Sequence, residues 1–181
     1  MKIKFLGTAC FLLLLVSMQI TCAHSSSDST NIVSPGFKPS CFFVLGLGIG
    51  TPGPISTVQF NSEAKKRSMF SVGITSHTYD VKNIATPYIE FGKLRKSRKS
   101  FGRWGLGSSF TKVTIYEAGF WGPTNMIKEE KRGAGIHFTL QKMFAKKFVG
   151  IGGTAFVDLN KANPYAGILL TVALGRINKE L

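Results

Sequence analysis

Acidic side chains are scarce. Nine Asp and Glu stand against 23 Lys and Arg in 181 residues, giving a formal net charge of +14 and a pI near 10.0. Cysteine and histidine are equally sparse, three of each. Two of the cysteines, Cys10 and Cys22, lie near the N-terminus, so Cys41 would be left alone once a leader is removed, which is too few for a disulfide framework. No His or Cys spacing suits a metal site, and the expectation is no metal and no cofactor. Long apolar runs are absent after residue 23. The stretch 39–62 is interrupted by Pro52, Pro54 and several glycines, and 162–175 falls short of the roughly 20 residues a membrane helix needs. Helix-rich architectures are disfavoured too, because 20 glycines would each cost roughly 1 kcal/mol inside a helix. A hydrophobic share of 44% with mean hydropathy +0.12 excludes a disordered tail. The length suits one domain.

Residues 1–23 read as a secretory signal peptide. Lys2 and Lys4 form its basic start, Phe5 to Val16 its apolar stretch, and Thr21 and Ala23 the small residues before cleavage. Cys22 invites a lipoprotein reading, but Gln19, Ile20 and Thr21 fit a lipidation site poorly. Residues 24–40, Ser-rich and carrying Pro35-Gly36, read as a flexible leader, which leaves 41–178 for the folded part.

That part alternates with period two. Phe43, Leu45, Leu47 and Ile49 oppose Val44, Gly46, Gly48 and Gly50; Phe70, Val72 and Ile74 oppose Ser71, Gly73 and Thr75. Ala134, Ile136, Phe138 and Leu140 oppose Gly135, His137, Thr139 and Gln141. The segments 149–158 and 166–175 repeat the pattern. A soluble strand should carry Lys and Glu opposite its apolar face. Here those positions hold Gly, Ser, Thr, Ala, Gln or His, and the charges collect between segments. The pattern predicts an all-β, eight-stranded antiparallel up-and-down transmembrane barrel with its apolar side facing lipid and a tight, polar, glycine-lined interior. The strands are expected at 41–51, 54–61, 67–79, 86–95, 101–116, 132–144, 147–158 and 164–177. With the N-terminus in the periplasm, 62–66, 96–100 and 145–146 turn there. The connections 52–53, 80–85, 117–131 and 159–163 then face outside, and 117–131 is the longest loop and a candidate surface for a partner. A soluble lipocalin-like barrel holding an apolar ligand is the competing architecture.

The stretch 132–177, GAGIHFTLQKMFAKKFVGIGGTAFVDLNKANPYAGILLTVALGRI, resembles a group of small outer-membrane β-barrel proteins of the Bacteroidetes type. YIEFGKL (88–94) and RWGLGSSFTKV (103–113) are similar to inner strands of the same group. The resemblance implies the outer membrane and eight strands, and no defined activity. Such barrels usually end on an aromatic or apolar assembly signal, whereas here Asn178-Lys179-Glu180-Leu181 follow the closing strand.

The run 93–103 is strongly basic. Lys93, Arg95, Lys96, Arg98, Lys99 and Arg103 are expected to contact lipid phosphates or lipopolysaccharide at the membrane boundary, or simply to form a solvated turn. No nucleic-acid motif accompanies them, so no nucleic-acid partner is expected. Tyr88, Trp104, Tyr116, Trp121 and Tyr165 fall near strand ends and are expected to be interfacial aromatic anchors. Gly46, Gly48 and Gly50 lack the spacing of a dinucleotide fingerprint. Ser76, His77 and Asp80 are the one set that looks like a nucleophile, base and acid, as a lipid A hydrolase or acyltransferase would need. Adjacent strand residues point to opposite faces, however. No catalysis is therefore expected, and a rigid internal polar network is expected around His137, with Glu90 or Asp158 as partner.

Overall fold

The alternation closes into a sheet without edges. The computed structural model describes residues 40–51, 53–64, 67–97, 99–119, 122–146 and 148–177, the side chains at 119 and 122–125 excepted. Eight strands follow in chain order: β1 (Cys41–Gly50), β2 (Gly53–Glu63), β3 (Ser68–Tyr79), β4 (Lys82–Lys96), β5 (Ser100–Gly119), β6 (Gly122–Ala145), β7 (Val149–Asn160) and β8 (Tyr165–Arg176). Each pairs antiparallel with the next, and β1 pairs with β8 from Cys41↔Arg176 to Gly50↔Gly167, so the sheet is a closed eight-stranded barrel. Closure satisfies backbone groups that an open edge would leave unpaired. The segment expected as a signal peptide, 1–23, and residues 24–39 of the expected leader lie outside the described residues, as do Arg98, Trp121 and the final residues 178–181.

Both chain ends enter at one end of the barrel, where Ser40 and Ile177 sit. The turns there are tight: Ser97 donates its N–H to Ser100 O at 2.8 Å, and Lys146 donates to Val149 O at 2.8 Å. At the opposite end Tyr79 pairs with Lys82 across a two-residue turn in which Asp80 has φ 49°, a left-handed conformation that Asp tolerates better than most side chains. Asn160 shapes the β7–β8 connection by accepting from Asn163 N at 2.6 Å and donating to Asn163 O at 2.8 Å.

Several boundaries differ from the sequence expectation. β4 begins at Lys82, because pairing with β3 continues to the turn at Asp80-Val81 instead of leaving a loop over 80–85. The long loop expected over 117–131 is mostly strand. β5 and β6 pair as far as Gly119↔Gly122, with register shifts around Tyr116, and form a hairpin. Pairing with β4 stops at Ile115 and pairing with β7 at Gly135, so the hairpin rises past its neighbours. Backbone pairing there outweighs the turn-like composition that suggested a loop. Cys41, expected as a lone thiol, is disulfide-bonded.

The faces fall as the alternation demands. Ile136 is 57% exposed, Phe138 42%, Ile168 68% and Leu170 66%, all on the outside. The interior is richer than a glycine-and-hydroxyl lining. At the termini end Phe42, Val44, Met69, Leu94, Phe101, Met143 and Ile177 form an apolar plug, with Phe42 and Phe101 rings 5.2 Å apart. Toward the other end Ile55, Phe156, Tyr165 and Leu169 form a second apolar cluster. Polar side chains fill the space between.

Candidate functional site

The polar layer is built on the inward positions of β2 to β7. β4 turns Tyr88 and Glu90 inward, because Ile89 and Phe91 take the outside. β5 turns Arg103 inward by the same parity, with Trp104 outside. Arg103 then donates Nη2 to Glu90 Oε2 and Nη1 to Asn61 Oδ1. Glu90 also accepts from Gln59 Nε2 at 3.2 Å and from the Thr139 hydroxyl. Asn61 accepts further from Ser71 Oγ at 2.9 Å. Both Glu90 and Arg103 are almost wholly shielded, so this is a buried ion pair whose remaining bonding capacity is taken up by neutral polar groups.

One layer further along, His137 Nδ1 lies 2.9 Å from Asp158 Oδ2, and its Nε2 lies 3.8 Å from Glu90 Oε1. The expected pairing of His137 thus involves both acids, closely with Asp158 and more distantly with Glu90. Tyr88 stacks on His137 with ring centroids 4.1 Å apart, and the Phe156 ring lies 5.5 Å from the same imidazole. Asn160 donates to the second Asp158 oxygen at 2.6 Å. His77 sits beyond, edge-on to Tyr165 at 4.4 Å, and neither of its ring nitrogens has a bonding partner among the described residues.

Two glycines make this filling geometrically workable. A Cβ at Gly73 would lie 2.5 Å from the Tyr88 ring, and one at Gly105 would lie 2.9 Å from both Arg103 Nη2 and Glu90 Oε2. Gly73→Ala is therefore expected to push Tyr88 off His137 and to cost about 1–3 kcal/mol by overpacking. Gly102→Ala, whose Cβ meets nothing nearer than Gln141 O at 3.7 Å, is expected to be close to neutral. Thermal loss of the folded band in electrophoresis of detergent-solubilised protein compares the two. Equal midpoints would show that the ring contact does not constrain position 73.

The sequence-derived candidates divide by face. Lys93, Arg95 and Lys99 are exposed near the termini end. Arg103 is not a boundary contact: it is buried against Glu90, because inward parity on β5 overrides its place in a basic run. Lys96 also points inward, and its Nζ reaches Glu63 Oε2 at 2.5 Å and Ser40 Oγ at 3.1 Å. With Ser40 N donating to the same Glu63 oxygen at 3.0 Å, it fastens the chain's entry into β1. Tyr88 and Tyr165 are not interfacial anchors either. Both are buried on the inward parity of β4 and β8. Trp104 is half exposed on the outer face, and Tyr116 is half-buried at the base of the hairpin. Ser76 and His77 point to opposite faces and Asp80 occupies the β3–β4 turn, so the three do not converge. Sequence reasoning missed Asn61, Gln59 and Thr139 as partners of the buried pair. Their inward parity was legible, but their partners depend on closure and register.

The hairpin carries its own charge cluster. Glu130 takes Lys112 at 2.7 Å and Arg132 at 2.6 Å, and these two cations hold its carboxyl below the usual range. Met126 and Ile127 are exposed beside them.

No family model matches the chain, and no curated protein matches it by sequence. Solved structures do match in fold. Ail, the attachment invasion locus protein of Yersinia pestis, superposes with a TM-score of 0.56 at 9% identity, over 77% of this chain and 98% of that one. The N-terminal β-barrel domain of Pseudomonas aeruginosa OprF gives 0.56 at 5% identity, over 75% and 96%. A second Ail structure, in complex with the heparin analogue sucrose octasulfate, gives 0.54 at 10% identity, over 77% and 98%. At these identities the likeness is one of fold. It puts the chain among small closed eight-stranded barrels, the architecture of Ail and of the N-terminal domain of OprF.

Proposed function

We propose that the protein is a small outer-membrane β-barrel, exported by a signal peptide at 1–23 with 24–40 as its leader, whose role is structural and surface-interacting rather than catalytic. The observation that carries this is the outer face. Large apolar side chains cover it from Leu45, Leu47 and Ile49 on β1 round to Ile168 and Leu170 on β8, while Glu90, Arg103, His137 and Asp158 are enclosed. A water-soluble barrel would reverse that arrangement, since contiguous apolar surface of this extent is costly in water. A closed sheet is also one of the two backbone solutions that a bilayer permits. The one hairpin that rises past its neighbours, at the end opposite the termini, matches barrels whose longer extensions face outside. The β5–β6 hairpin is then the element offered to surface partners. Its four cations, Lys112, Lys128, Lys131 and Arg132, outnumber its three acids, Glu117, Glu129 and Glu130, a balance that favours anionic groups such as those of lipopolysaccharide, and the Ail complex with a sulfated sugar supports anion contact by this architecture.

Fractionation tests the reading. Expressed in a Gram-negative host, the protein is expected to pellet with envelopes in the absence of detergent and to migrate differently in electrophoresis with and without boiling. A mature protein that stays in the supernatant, with one mobility, would replace this reading with the soluble lipocalin-like one.

A further inference from the structure

Three of the basic residues that reach the outer face lie together on β4 and β6. In the register of the sheet Arg95 pairs with Gly102, and Gly102 pairs with Lys142, so one row across β4, β5 and β6 reads cation, glycine, cation. Arg95 and Lys142 are both exposed, and Phe91, Trp104, Leu140 and Phe144 show that this parity faces outward. Neighbouring strands lie about 4.8 Å apart, so the two cations spring from backbone roughly 10 Å apart with no side chain between them. The gap is open, because even a Cβ at Gly102 would meet only Gln141 O at 3.7 Å. One row inward Lys93 pairs with Trp104, and its Nζ lies 3.3 Å from Ser68 Oγ. Beside it runs a groove of about 360 Å³ whose lining includes Phe70, Phe91, Lys93 and Trp104.

No acid balances these charges among the described residues. Glu63, Glu90 and Asp158 point inward, while Asp80, Glu117, Glu129 and Glu130 lie at the hairpin end. Cations without counter-charge, at the margin of an apolar belt, are positioned to extend along it and bring their heads to the polar boundary. A guanidinium and an ammonium facing one another across an open floor match a phosphate. The adjoining apolar groove matches an acyl chain on the same molecule.

Resting on the membrane reading above, we infer that Arg95 and Lys142, over Gly102 and with Lys93 alongside, bind the phosphate of an anionic phospholipid in the leaflet at the termini end. Lys142 lies outside the basic run and joins the site only through strand register.

Native mass spectrometry of the purified full chain in detergent tests this, with phosphatidylglycerol, phosphatidylcholine, lipid A and inorganic phosphate as separate arms. Wild type is expected to retain phosphatidylglycerol in preference to the other three. The double variant Arg95→Ala with Lys142→Ala is expected to bind it about thirtyfold more weakly, since each cation near an anionic surface contributes roughly a factor of five. Gly102→Leu is expected to lose binding with every charge intact, because it fills the floor. Lys112→Ala with Lys131→Ala, at the far end, is expected to bind as wild type does. The inference is overturned if the double variant binds like wild type, if phosphatidylcholine or lipid A binds as tightly, or if free phosphate displaces the lipid. Heat-modifiable mobility of each variant separates lost binding from lost folding. A wild type without that mobility shift would overturn the barrel reading and this inference together.

Discussion

Replacing Arg103 by Met is expected to destabilise the folded barrel by about 3–5 kcal/mol, the usual cost of stranding a buried charge. Its guanidinium bridges Glu90 and Asn61 in the middle of the interior, where side-chain exposure of both charged partners is 1%. Without it Glu90 keeps Gln59 and Thr139, but these neutral donors do not cancel a full charge. Glu90→Gln alone should be costly for the mirror reason, leaving an unpaired guanidinium. The double variant Glu90→Gln with Arg103→Met is expected to recover most of the loss, because a buried pair swapped for neutral groups of similar volume is often close to neutral. Urea titration of the detergent-solubilised protein, read by the heat-modifiable band, measures all three. Single variants as stable as wild type would mean that water, rather than protein, solvates these charges.

How far the sequence foretold this interior depends on the residue. Parity along a strand is local, so Ile136 and Phe138 outside and His137 and Thr139 inside were legible from alternation alone. Tyr88 and Tyr165 show the same rule misapplied. Each shares the inward phase of its strand, with Glu90 and with Gly167 respectively, yet position near a strand end suggested a boundary role. Arg103 was drawn outward by its basic neighbours in the same way, although Trp104 fixes its phase. What alternation cannot supply is the relative stagger of strands. That Glu90 meets Arg103, or that Lys142 lies level with Arg95, follows from hydrogen-bond register around a closed sheet and from no pattern within one segment. The β5–β6 hairpin exposes a further limit. Its charged, turn-like composition reads as loop, and only cross-strand pairing from Tyr116↔Ile127 to Gly119↔Gly122 makes it sheet.

A charge placed on the outer face at mid-height separates a bilayer from water as the surrounding solvent. Leu170 sits in the centre of β8, paired with Leu47 on β1 and Gly153 on β7, and is 66% exposed. Leu174 shares its face but lies near the strand's end, level with Phe43 and Val149. In lipid, Leu170→Arg is expected to cost about 2–4 kcal/mol and Leu174→Arg only about 0–1 kcal/mol, because the penalty for a cation falls from the midplane to the interface. In water both changes would cost little and show no dependence on depth, since a partly exposed Leu gives up little burial and its Arg replacement stays solvated. Folding yield into phosphatidylcholine vesicles, titrated with urea, reads the difference. The comparison does not depend on the absolute stability of the barrel, only on the gap between two substitutions of the same chemistry on one face of one strand. A graded loss with depth would show acyl chains around the belt. Equal and small effects would show that the apolar face meets something other than a bilayer.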